Sequence, residues 1–316
     1  MSDPNVINSV PAALTADQRL LEEPNLATEC SSASSSAEGY LRYRIIWYAT
    51  NVLLLASMFL VFYTVAWDYS TRRYLTGFSD AVVPAGAAPE EKIVAILAWM
   101  SDGPARRADP ISLVENRDPT DTLNYKSLLQ VCGSATNAFI NLADSSGLVA
   151  RRLLLLDSVG GTRHVVAEVM LDGRWIVVDP SFRVMLRGAS GQFLTRRDLA
   201  DPEVFSIATR NVRNYDPSYN YAHTEHIRLE RVAFVGPSVR RILNFLLPTW
   251  EASPTLSLLV ERESFAAEVA SLLMFVFLVL SRISLRWFGE SRLGFRTTHI
   301  RERMRRAAHA FLTLPS

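Results

Sequence analysis

The sequence predicts an α+β domain carried between two membrane-spanning helices. Two long apolar stretches, 45–67 and 264–285, bracket a central segment of mixed composition. After Cys132, apolar Ala135, Phe139 and Leu142 recur at spacings of four and three, and Gly147 stands where a helix ends. Three short strand patterns joined by turn residues then run to Asp179. The predicted layout is therefore a tail (1–44), a span (45–67), an outer domain (68–263), a second span (264–285) and a basic tail (286–316).

Residues 1–44 hold Pro, Asn, Ser and scattered acids, with a serine-rich run over 31–36, and are expected to be disordered apart from a short helix over 15–21. Residues 45–67 are apolar except for Thr50, Asn51, Ser57 and Thr64, and Trp47, Tyr48, Tyr63 and Trp67 lie near the ends as an aromatic belt would. The stretch begins too late for a removable signal peptide, so a signal anchor is expected. In the second stretch Glu268 and Arg282 lie near the ends, where long side chains reach the interface. Beyond it Arg286, Arg292, Arg296, Arg301, Arg303, Arg305 and Arg306 face only Glu290 and Glu302, which places this tail in the cytoplasm. Two spans then return the N-terminus to the same side and leave 68–263 outside. The basic stretch 298–312 reads as an amphipathic helix on anionic lipid or as a stop-transfer cluster.

Within the outer segment, Pro89, Glu90 and Glu91 suit the first turn of a helix continuing through Ile93, Ile96, Leu97 and Met100. Residues 102–125 are polar and broken by Pro104, Pro110 and Pro119, so a loop forming one wall of a cleft is expected. Thr195 and Asp198 open a short helix running through Phe205. Residues 214–226 are rich in tyrosine, and Tyr215, Tyr219 and Tyr221 are candidates for a substrate rim or for packing on the core. Residues 240–250 are basic, then apolar, and too short to cross a membrane, so a place at its surface is expected. His223 and His226 lack further ligands nearby, so neither a metal nor a cofactor is expected.

The residues that carry chemistry are Cys132, His164 and Asp179. A thiol at a helix N-terminus sits near unpaired N–H groups and the positive end of the helix dipole, which favour the thiolate. Asp172-Gly173 reads as a two-residue type I′ hairpin turn. With Leu171 opposite Arg174, His164 faces Ser181 and has Asp179 as its diagonal neighbour at roughly 7–8 Å between backbones. A three-residue turn would put His164 and Asp179 on opposite faces, so the arrangement depends on that register. Cysteine as nucleophile, histidine as base and aspartate as orienter suit attack on a carbonyl carbon through a thioester.

At these residues the sequence resembles the transglutaminase-like superfamily of papain-like Cys-His-Asp thiol enzymes. The matching residues are Cys132, then Gly147-Leu148-Val149-Ala150-Arg151, then His164 with Glu168-Val169, then Gly173-Arg174-Trp175, and Asp179-Pro180. Leu148-Val149 stands where the superfamily usually has Ile-Pro. The resemblance covers about 90–182 and implies a core with the catalytic Cys at a helix N-terminus and His and Asp on adjacent antiparallel strands. It implies the triad Cys132, His164 and Asp179; for the oxyanion the candidates are Gln130, Tyr125 and Gly133. Glu168, Trp175 and Arg151 are expected to support the fold.

Composition sets the outer limits. The net charge of +1 gives no reason to expect nucleic acid as a partner, and two cysteines, Cys30 and Cys132, exclude a disulfide framework. The expectation is a thiol enzyme of the bacterial inner membrane, facing the periplasm and acting on amide or acyl bonds of envelope peptides, proteins or glycans, with hydrolysis preferred over cross-linking. Membrane lipid and a membrane complex are its other expected partners. The rival from another class is an inactive module binding envelope polysaccharide or a membrane partner through its tyrosine loop. Acyl transfer from coenzyme A ranks lower, because an outward-facing domain does not meet that cofactor.

Overall fold

The computed structural model describes residues 26–104, 115–227, 240–241, 244–245 and 250–292, with side chains from residue 41 onward. The expected helices over 15–21 and 298–312 and most of the 240–250 segment lie outside the described residues. The chain divides into two compact units, residues 57–274 and residues 1–56 with 275–316.

Helix α1 (Leu26–Val82) is continuous over 57 residues, about 85 Å at 1.5 Å per residue. It begins inside the segment expected to be a disordered tail, where Ala27, Glu29, Ala33, Ala37 and Glu38 are strong helix formers and no proline interrupts them. The apolar windows of α1 and of the last described helix, α8 (Glu263–Arg292), have mean hydropathy 2.0 and 2.1, and only 11% of each window is buried. Both helices are long and apolar enough to cross a membrane. In the smaller unit, Tyr43 stacks on Trp47 at 6.3 Å and the Arg282 guanidinium lies 5.2 Å from the Trp47 ring.

The larger unit is built on a five-stranded antiparallel sheet in the order β4-β3-β2-β1-β5. Its strands are β1 (Ala150–Leu156), β2 (Thr162–Leu171), β3 (Arg174–Asp179), β4 (Val184–Met185) and β5 (Thr224–Glu225). Leu171 pairs with Arg174, and Asp172 and Gly173 have φ of 49° and 77°. Two successive left-handed residues define the type I′ turn, whose twist matches that of the strands it joins.

Helix α4 (Cys132–Ser145) covers one face of the sheet, where Ala135, Ala138, Phe139 and Leu142 join Ala167, Val169, Ile176 and Val178 in one core cluster. Truncating a fully buried Phe such as Phe139 to Ala costs about 3–5 kcal/mol. The helix ends in a Schellman motif: Gly147 has φ 81°, its N–H donates to the Asp144 carbonyl (3.0 Å), and the Leu148 N–H donates to the Ala143 carbonyl (2.8 Å). That turn delivers the chain directly into β1.

The same cluster takes Ile93, Ile96, Leu97 and Met100 from α2 (Pro89–Asp102), and Leu75 and Phe78 from the end of α1. The first membrane-length helix thus becomes a core helix of the domain without a linker. The segment expected as loop over 102–125 contains one turn of helix, α3 (Pro119–Thr122), capped by Asp118; residues 105–114 lie outside the described residues. A 3-10 turn (Lys126–Gln130) leads into α4.

On the other face, Leu153, Leu155, Val166 and Val177 pack with Leu186, Leu194, Phe205 and Tyr221. Thr195 and Asp198 form the reciprocal cap expected for a helix start. It opens only α5 (Arg196–Leu199), because Pro202 restarts the chain as α6 (Pro202–Thr209). Behind β1 lies α7 (Pro254–Glu261), which passes through Arg262 into α8.

Candidate active site

Cys132 is the first residue of α4, with Val131 as its N-cap. The first helical turn leaves its leading N–H groups without acceptors inside the helix. The N–H groups of Gly133 and Val165 act on the Cys132 sulfur in the direction that lowers its pKa. His164 acts on the thiol in the same direction, and its Nε2 lies 2.7 Å from Asp179 Oδ2. The register of β2 on β3 makes this contact, because it sets His164 and Asp179 on the face shared with Val166 and Val177.

Asp179 is 0% exposed, so every lone pair it keeps from water needs a donor. Its Oδ1 accepts from the Ser181 N–H (3.1 Å) and the Phe182 N–H (3.3 Å). Its Oδ2 accepts from His164 and from the Tyr215 hydroxyl (3.0 Å), which in turn lies 2.9 Å from the Tyr221 hydroxyl. Burial and the nearby Asp179 charge push both tyrosine pKa values far up, so the hydroxyls stay protonated.

Burial disfavours an imidazolium at His164, but its hydrogen bonds to Asp179 and Cys132 and the charges of both outweigh this and raise its pKa to about 9. Burial likewise disfavours a thiolate at Cys132. Hydrogen bonding and the positive charge of His164, with the Val165 and Gly133 N–H groups, bring its pKa below the ordinary value. The two shifts run in the direction of a thiolate–imidazolium pair.

The three tyrosines considered for a rim or for core packing are placed differently. Tyr221 is 2% exposed and Tyr215 has its hydroxyl on Asp179, because the 214–226 segment folds back over the sheet face that carries the histidine and aspartate. Tyr219 remains partly exposed, and its ring lies parallel to that of His164 at 4.3 Å. Of the three oxyanion candidates, Gly133 is buried beside the sulfur, Tyr125 precedes the 3-10 turn and Gln130 ends it, exposed. A Cβ on Gly133 would lie 2.5 Å from Glu115 Cδ, so that position is filled by the Glu115 side chain.

The remaining polar residues support the fold. Arg151 donates to Glu168 (2.7 Å) and to the Ala252 carbonyl (2.8 Å), and its guanidinium lies 3.8 Å from the Trp175 ring. His226 also bonds Glu168, at 2.9 Å. Among the described residues no group of three His, Cys, Asp or Glu is placed to hold a metal.

Sequence reading passed over a second buried network. Arg152 donates to Glu261 (2.6 Å) and Glu115 (2.8 Å), and Arg262 donates to Asn141 (3.0 Å) and Asp144 (2.9 Å). The one available signal was a run of charge, Glu261-Arg262-Glu263, at the edge of an apolar stretch, and its partners lie more than 100 residues away.

A helix-first thiol followed by a histidine and aspartate on paired strands defines the class, a papain-like Cys-His-Asp arrangement on an α+β core. Residues 76–180 match the family model of the transglutaminase-like superfamily, so this part of the chain is a transglutaminase-like domain. The matched span opens in the last turns of α1 and closes one residue beyond Asp179. No curated protein matches the chain, and neither does any solved structure.

Proposed function

We propose that the chain is a membrane-anchored cysteine enzyme that cleaves amide or acyl bonds through a Cys132 thioester. The observation that carries this reading is the His164–Asp179 hydrogen bond together with Cys132 at the head of α4, with the Cys132 and His164 pKa shifts both toward the ion pair. The Cys132 thiolate attacks the carbonyl carbon, and the oxyanion is held by N–H groups at the start of α4. Gln130 and Tyr125 are the side chains near enough in sequence to assist. As the tetrahedral intermediate collapses, His164 gives its proton to the leaving amine or alcohol, and a thioester remains. His164 then takes a proton from water, whose oxygen displaces the sulfur and releases a carboxylic acid. Hydrolysis is preferred over cross-linking, with envelope peptides, proteins or glycans as substrates, the domain facing the periplasm and the helices in a bacterial inner membrane.

The test is alkylation. Cys132 in the intact protein should react with iodoacetamide at neutral pH faster than a free thiol, and Cys132→Ala should abolish its activity on envelope material, read by mass spectrometry. Labelling no faster than a free thiol, together with an intact cellular role for Cys132→Ala, would favour the inactive binding module instead. That rival draws on the tyrosine loop, in which Tyr221 is 2% exposed and the Tyr215 hydroxyl is held on Asp179.

A further inference from the structure

The site is tied to both membrane-length helices without a flexible joint. On one side α1 runs unbroken into the core, where Leu75 and Phe78 share a cluster with Phe139 and Ile140 of α4. On the other, Arg262 alone separates α7 from α8, and it is 1% exposed. Arg262 is held by Asn141 and Asp144 of α4. Glu261, 0% exposed, accepts from Asn137 Nδ2 on its carboxylate (3.1 Å) and from Asn141 Nδ2 on its carbonyl (3.1 Å). Three residues of α4 thus grip the two residues that precede the second apolar helix, and α4 is the helix that begins with Cys132.

A polar contact marks where the apolar surfaces of α1 and α8 end: Ser264 Oγ donates to Asp68 Oδ1 at 2.8 Å, while Thr64 meets Ser271 two turns further into the apolar stretch. From Cys132 the helix rises about 7.5 Å to Asn137, and the side-chain contact plus three residues of chain from Glu261 to Ser264 add at most about 20 Å. Cys132 therefore lies within about 30 Å of the level of Asp68 and Ser264. An open pocket of about 440 Å³, lined by Glu115, Asn116, Arg117 and Glu263, lies along the way. Glu263 is the first residue of α8, and Glu115 packs on Gly133, next to Cys132. Its lining is polar and charged, which suits headgroups and hydrated chains rather than acyl tails.

We propose that the substrate is membrane-anchored, an amide or ester whose scissile carbonyl is presented within about 30 Å of the bilayer surface. A domain on a flexible linker samples a wide range of heights; this one works at a fixed height. The inference rests on the thiol-enzyme reading of Cys132 and on α1 and α8 spanning a bilayer, and the following experiment separates the three.

Full-length Cys30→Ser protein is reconstituted in phosphatidylcholine vesicles carrying, in both leaflets, lipid-anchored maleimides whose polyethylene glycol spacers reach about 40 or about 80 Å, matched in surface density. The expected result is labelling of Cys132 by the shorter probe within about threefold of the rate of the longer one, since both tethers span the gap. Labelling by the longer probe alone overturns the proposal. Soluble iodoacetamide on the same vesicles reads the thiolate: if Cys132 reacts no faster than a free thiol, the enzyme reading falls and the substrate proposal with it. Release of the protein by alkaline carbonate overturns the membrane reading, and again the proposal with it. Cys30→Ser/Cys132→Ser protein supplies the unlabelled control.

Discussion

Tyr215 donates its hydroxyl hydrogen to Asp179 Oδ2, the same oxygen that binds His164 Nε2. The carboxylate, 0% exposed, is thereby fixed from two directions. Tyr215→Phe removes one donor to Asp179 and strands the buried Tyr221 hydroxyl, so it should destabilise the protein by about 1–3 kcal/mol. Tyr221→Phe leaves the Tyr215 bond to Asp179 in place and should cost less. The double variant should cost less than the two singles summed, because the hydroxyl stranded by Tyr215→Phe is then gone too. Urea unfolding of all three variants in detergent micelles measures this cycle.

Alkylation should follow the charge on both partners. The His164 pKa rises from 6.5 to about 9, so its contribution to stability is complete below 6.5 and is lost as pH rises through about 9. The Cys132 contribution has the opposite sign, being present above its ordinary value and lost as pH falls through the lowered one. His164→Asn removes the imidazolium and leaves burial dominant, so the onset of iodoacetamide reaction should move to higher pH. In Cys132→Ser the thiol no longer helps to raise the His164 pKa, so the pH through which the His164 contribution to thermal stability is lost should move down from about 9. Rate and melting profiles against pH read the two effects.

The grip on the second apolar helix should be unequal between its acids. Glu261→Leu leaves the buried Arg152 with Glu115 alone and takes the carboxylate from Asn137, whose amide keeps the Glu261 and Arg117 carbonyls, so the stranded arginine carries an expected loss of about 3–5 kcal/mol. Asp144→Asn should cost less than Glu261→Leu, because the amide oxygen of the new side chain can still accept from Arg262 and the Asp144 position is 44% exposed. Chemical denaturation of both variants distinguishes them.

Arg151→Lys keeps the charge and loses the planar group that holds Glu168 and the Ala252 carbonyl while lying over Trp175. The expected outcome is a destabilisation of about 1–3 kcal/mol with a change in Trp175 fluorescence, and little effect on the alkylation rate of Cys132. A large drop in that rate would place Arg151 in the chemistry instead of the scaffold.

The parts of the site legible in sequence were those set by local rules. Asp172-Gly173 admits a type I′ turn, and with that turn the register of His164 and Asp179 is decided within the hairpin. Cys132 stood at the head of a helix whose apolar spacing and terminal Gly147 were both visible. What escaped was decided by contacts distant in sequence. Tyr215 and Tyr221 lie in a segment without periodicity, and only the sheet face they fold onto determines that they point inward. Nothing local marked Arg262 as buried, because Asn141 and Asp144 are about 120 residues away. The helical start at Leu26 was hidden by a serine-rich composition that reads as disorder, although nothing in it breaks a helix.

The continuity of α1 also dictates an order of assembly. Leu75 and Phe78 close the same core as Phe139, so the domain lacks part of its own interior until the end of the first apolar helix is in place. During synthesis that helix leaves the ribosome first, and α4 and the sheet then condense onto it as onto a template. A truncated chain beginning at Pro89, cut to discard the apolar helix for ease of production, would lack Leu75 and Phe78, expose the apolar faces they cover, and aggregate where the full chain folds.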